Sequence, residues 1–111
     1  MTISTAALAL VVGAALPAAA QPTTLDWGGA MPKEGHPFNV RSGPGTNYSL
    51  IETVYSGYRR CAVDDCGETR VGTSYTCWTG GPAGNIWLPV VTANSTTGWV
   101  AQKCVALGRV A

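Results

Sequence analysis

Histidine is nearly absent from the chain: His36 is the only one, and it stands beside Pro37 in a stretch rich in proline and glycine. No Cys–His or Ser–His–Asp set can be read around it, so the sequence offers no nucleophile with its base and no enzyme is expected. Charge is scarce as well. Seven Lys/Arg face six Asp/Glu, for a net charge of +1. A nucleic-acid partner would want a dense basic stripe, and an electrostatically bound membrane a basic cluster; neither is present. No C-x-x-C knuckle occurs, which argues against structural zinc, and no metal or cofactor is expected. After residue 20 no amphipathic helical window appears, and no internal repeat is visible.

One apolar run is present. Ile3 to Ala20 is apolar and small, with a hydrophobic stretch from Ala6 to Leu16. It closes on Pro17 and Ala18-Ala19-Ala20, a small-x-small pattern before Gln21. Residues 1–20 therefore read as a signal peptide cleaved after Ala20, although no Lys or Arg precedes the run. The competing reading is a retained membrane anchor. A span needs ~20 residues, and Gly13 and Pro17 interrupt this one. The expectation is a secreted protein, extracellular or associated with the cell wall, with no membrane contact after cleavage.

The four cysteines, Cys61, Cys66, Cys77 and Cys104, all follow that run. An even number in an oxidising compartment favours disulfides. In a core this small each bridge would stabilise by roughly 2–4 kcal/mol, mostly by restricting the unfolded chain. Cys61–Cys66 with Cys77–Cys104 is the preferred pairing, one closing a local loop and the other stapling a middle strand to the last. Cys61–Cys104 with Cys66–Cys77 stands close behind.

Fourteen glycines and seven prolines suit short strands with many turns. Residues 21–37 carry no periodicity and read as an extended N-terminal arm, either packed through Trp27 or, slightly preferred, a plain linker. At Phe38 the texture changes. Phe38-Asn39-Val40-Arg41 alternates as a half-buried strand does. Pro44 and Gly45 suit the central positions of a type II turn, which needs positive φ at the second. Strands are expected near 48–55, 75–78, 86–91, 98–101 and 104–107, with Pro89 marking an edge or a bulge. The segment 58–72 is the least regular. Five to six short strands point to an all-β fold, a small barrel or sandwich.

The run Asn39-Val40-Arg41-Ser42-Gly43-Pro44-Gly45-Thr46-Asn47-Tyr48 resembles the opening motif of bacterial SH3 domains, N-V-R-x-G-P-[GS]-x-x-[YF]. Gly98-Trp99-Val100-Ala101 resembles that family's closing G-[WY]-V motif. The resemblance covers residues 38–107, which it marks as the domain. It implies a small SH3-like barrel with a short helical turn near its end. It also implies an extracytoplasmic binding role, often toward peptidoglycan peptides. The chain departs from the family in its longer, cysteine-bearing segment between Gly57 and Thr73, and in having no attached catalytic domain.

Candidate ligand-binding residues are aromatic or cationic. Tyr48, Tyr55 and Trp78 could line a groove for a peptide or glycan, although filling the core and its rim is as good a reading. Trp87 and Trp99 are expected to be mostly buried. Arg41 and Arg59, with Arg60, are candidates to hold a carboxylate through paired hydrogen bonds; a solvated surface role is the preferred alternative. Asp64 and Asp65 would point to opposite faces of a strand, so they do not make an acid–base pair without an unusual turn. The expected partner is a cell-wall component or another extracellular protein, met by a monomer.

Overall fold

The computed structural model describes residues 27–110. The apolar run of residues 1–20 and its cleavage position lie outside the described residues. Among those described, eight strands and two single 3-10 turns make an all-β fold. The strands are β1 (Trp27–Pro32), β2 (Phe38–Arg41), β3 (Leu50–Val54), β4 (Arg59–Arg60), β5 (Arg70–Thr76), β6 (Ala83–Val91), β7 (Thr97–Ala101) and β8 (Val105–Val110). The 3-10 turns are Asp64–Cys66 and Gln102–Cys104.

All strand pairs are antiparallel, and they form two sheets. One has the order β4-β1-β8, the other β3-β2-β7-β6-β5. The core lies between them. Ala30 and Val105 come from the first sheet, and Phe38, Val40, Val54, Leu88, Val90 and Val100 from the second. Alternation explains the second set: Phe38 and Val40 face inward while Asn39 and Arg41 face out. A bridge between Cys61 and Val90 ties the chain leaving β4 to β6.

The eight strands exceed the five to six expected, and the main addition is β1. Residues 27–32, read as part of an arm, form the central strand of the first sheet, with Trp27 opposite Val110 and Pro32 opposite Val105. The sheet begins well before Phe38. The sequence WGGAMP hides this strand because its middle residues are small. They are small for a reason. A Cβ at Gly28 would lie 2.9 Å from Cys66 Sγ, and one at Gly29 2.8 Å from Val110 Cγ2. Strand signals come from bulky β-branched and aromatic residues, which this crowded position excludes. Residues 21–26 of the arm lie outside the described residues, and Lys33–His36 is a tight turn in which His36 N–H donates to Lys33 C=O at 2.9 Å.

Two local expectations change. Gly45 does not take the positive φ of a type II turn. A Cβ there would come within 2.5 Å of Asn47 Oδ1 and 3.1 Å of Thr73 Cγ2, so close approach is what requires glycine. Pro89 lies in β6, between β7 and β5, rather than on an edge strand. Yet β5 stops at Arg70, opposite Trp87. Beyond that point the Pro89 carbonyl accepts Ala62 N–H at 2.9 Å. The missing donor of Pro89 thus faces the Cys61–Ala62 segment, which meets β6 through an isolated bridge and not through a continuous ladder.

The two disulfides are Cys61–Cys66 and Cys77–Cys104, the preferred pairing. Such bridges suit an oxidising environment. Among the described residues, no helix is long and apolar enough to cross a membrane.

Candidate functional site

The outer face of the five-stranded sheet gathers the most chemistry. Arg41 on β2 stands directly opposite Trp99 on β7, which puts both side chains on one face. Arg70 reaches the same indole from β5, its guanidinium carbon 5.6 Å from the Trp99 ring centre. Two arginines thus flank one half-buried tryptophan. Arg41 donates to Tyr48 C=O at 3.0 Å. Arg70 lies 4.0 Å from the Glu68 carboxylate and is largely solvent-exposed.

Beside this row the loop after β2 folds back over β5. Thr46 N–H donates to Thr73 Oγ1 at 2.8 Å, and Trp87 Nε1–H donates to Thr73 C=O at 3.0 Å. Trp87 is buried and meets Tyr75 edge to face at 5.3 Å. Tyr75 O–H in turn donates to Ile86 C=O and accepts Lys103 N–H. The result is a cleft of about 150 Å³ walled by Phe38, Arg41, Thr46, Tyr75, Trp87 and Ala101. Small-molecule pockets run to about 300–1,000 Å³. This cleft therefore suits one residue of a longer ligand.

The expected tyrosine groove is not assembled. Tyr48 precedes β3 and Tyr55 follows it, so strand rise puts on the order of 20 Å between them. Tyr48 packs over Gly43, where a Cβ would sit 2.4 Å from its ring. Tyr55 is 77% exposed. Trp78 offers no open platform either. The His36 ring stacks on it at 3.7 Å and 8°, and a Cβ at Gly81 would be 2.5 Å from its Nε1.

Arg59 is occupied. Its Nε and Nη2 donate to the two Glu52 carboxylate oxygens at 2.7 and 3.2 Å, so the carboxylate it recognises is internal. Arg59's hydrogen bond holds the Glu52 carboxyl below its ordinary pKa, against partial desolvation, with help from Arg59's charge and the Ala93 N–H. The same bond raises Arg59. Arg60 lies over the Trp27 ring at 5.0 Å.

Asp64 and Asp65 do share one side, because the chain makes the unusual turn that a strand lacks. Asp65 has φ 63° and Cys66 φ 54°. Both carboxylates reach Arg109 on β8. Asp64 Oδ1 also accepts Gly28 N–H at 3.3 Å and Asp65 N–H at 2.8 Å. Partial desolvation pushes the Asp64 carboxyl up, but these N–H groups and Arg109 outweigh it and hold it below its ordinary pKa. The pair is a strut between the loop, β1 and β8, not an acid and its base.

Sequence reasoning missed Trp99 and Arg70. Its strand position suggests a mostly buried Trp99, but the neighbouring Gly98 and Val100 face inward and so turn the indole out. The strict alternation of Gly98-Trp99-Val100 was the available signal. Compared with known proteins, the chain matches no family model, no curated protein and no solved structure.

Proposed function

We propose that the protein is a secreted, non-enzymatic binding module. Its ligand is a carboxylate-bearing cell-wall peptide of the peptidoglycan type, and its fold is the SH3-like barrel that the two motifs imply. The observation that carries this reading is the Arg41–Trp99–Arg70 row beside a small aromatic-walled cleft. Guanidinium groups pair with carboxylates in planar, two-point fashion, and an indole between them covers the apolar part of a peptide. The cleft accepts one side chain, which gives register. One further fact supports it: the motif segments 39–48 and 98–101 meet in adjacent strands, Arg41 lying opposite Trp99.

The test is cosedimentation of the purified protein with purified cell wall, and titration with soluble stem peptides. The reading expects wall binding that Arg41→Gln/Arg70→Gln abolishes without loss of fold. No enrichment over a reduced, unfolded control would sink it.

A second reading has its own observation. The edge strand β3 exposes Leu50 at 53% and Ile51 at 38%, next to Tyr48 at 44%. Such an edge can take an added strand from a protein partner. In that case the module is a protein-interaction or inhibitor protein, and affinity capture from culture medium recovers one stoichiometric partner.

A further inference from the structure

We propose that Cys66 is a thiol–disulfide exchange site, at which an external dithiol opens the Cys61–Cys66 bridge ahead of Cys77–Cys104. Three observations converge on this loop. First, Asp65 and Cys66 are consecutive non-glycine residues in the left-handed region, at φ 63° and 54°. L residues resist that conformation and keep it only where the surroundings impose it. The closure between Cys61 and Cys66, five residues apart, is one such constraint. Neither Cys77 nor Cys104 has positive φ.

Second, of the two bonded cysteines Cys66 is the more accessible. It is half-buried and borders a depression of about 200 Å³ with Gly28, Asp65, Leu107, Gly108 and Arg109, whereas Cys61 is 1% exposed. Attack on this bridge is therefore directed to Cys66. Cys77 and Cys104 are half-buried too and line the cleft beside Trp87, so the order of opening rests on the backbone of the 61–66 loop. Third, the loop is wired to the sheet. Asp64 and Asp65 hold Arg109 of β8, and Asp64 accepts the Gly28 N–H of β1. Opening the bridge loosens those contacts, so the redox state of one bond is read by the β4-β1-β8 sheet.

The chemistry balances as a dithiol exchange. The reductant's thiolate bonds to Cys66 Sγ, the Cys61–Cys66 bond breaks, and Cys61 takes up a proton. The reductant's second thiol then attacks the mixed disulfide and closes its own ring, and Cys66 leaves and is protonated. Two electrons and two protons pass from the dithiol to the pair of cysteines.

The experiment titrates the oxidised protein with dithiothreitol under native conditions, blocks free thiols with N-ethylmaleimide, and maps the labelled cysteines by mass spectrometry. Cys61 and Cys66 should label at about tenfold lower dithiothreitol than Cys77 and Cys104, the ratio that relief of the backbone conformation supplies. Asp65→Gly, which adopts positive φ freely, should raise the concentration needed several-fold. Simultaneous opening of both bridges, or earlier opening of Cys77–Cys104, would overturn the proposal. So would a folded Asp65→Gly protein with an unchanged midpoint. The order of labelling in the unaltered chain decides the matter even where that variant does not fold.

Discussion

Glu52 and Arg59 form a two-point ion pair across the β3–β4 connection, at 2.7 and 3.2 Å, with both side chains mostly shielded from water. The pair ties the edge strand of one sheet to the edge strand of the other. Charged hydrogen bonds of this kind contribute about 1.5–3 kcal/mol. Glu52→Gln should therefore lower stability at neutral pH by about 2 kcal/mol in urea denaturation.

The same pair sets an acid sensitivity. Glu52 is depressed in the folded state relative to its ordinary pKa. Its contribution is complete above the unfolded glutamate value and is lost as pH falls through the lower folded value. Denaturation midpoints of the native protein should fall in that acidic window. In Glu52→Gln the fall should be shallower, and parallel curves for the two proteins would contradict the assignment.

Leu88 is fully buried where the two sheets face each other. Leu88→Ala should cost about 3 kcal/mol, as transfer and cavity terms add. Val91, on the same strand, is 37% exposed, and Val91→Ala should change stability by less than about 0.5 kcal/mol. Paired urea titrations give both values.

Gly72 marks the place where the loop after β2 crosses β5. A Cβ there would lie 1.8 Å from Pro44 C=O and 2.7 Å from Trp87 Cδ1. Gly72→Ala cannot be absorbed by a rotamer change, so the loop must lift. The expected result is a loss of about 1–3 kcal/mol, with a red shift in tryptophan emission as Trp87 gains water.

The bridges should differ in what they contribute. The chain-entropy relation gives about 3.5 kcal/mol for Cys77–Cys104, at a separation of 27, and about 2 for Cys61–Cys66, at a separation of 5. Relaxation of Asp65 and Cys66 on opening lowers the second figure further. Thermal melts of Cys77→Ala/Cys104→Ala and Cys61→Ala/Cys66→Ala should rank in that order.

Where side chains alternate, the fold was legible. Phe38-Asn39-Val40-Arg41 and Gly98-Trp99-Val100-Ala101 announce their strands through period two, and the all-β class follows from the spacing of turns. The Cys77–Cys104 pairing was legible, but not its setting: Cys77 lies just after β5 and Cys104 in the 3-10 turn before β8, so the bridge joins elements of different sheets and not neighbouring strands. What stayed hidden depended on neighbours far along the chain. Trp27–Pro32 carries glycine where Cys66 and Val110 press close, and no local pattern records that pressure. Arg59 reads as a free cation until the fold brings Glu52 to it. The partnership of Arg41, Trp99 and Arg70 likewise exists only once β2, β7 and β5 share a face.

The pairing of Trp27 with Val110 bears on timing. A chain that emerges N-terminus first delivers β1 early, yet β1 must wait through every intervening strand for its long partner, β8. The five-stranded sheet can assemble from what has already appeared, whereas the three-stranded one cannot close until the last strand is free. Closure of the three-stranded sheet is therefore gated by the arrival of β8, and a chain halted before Val105 should remain open along one side.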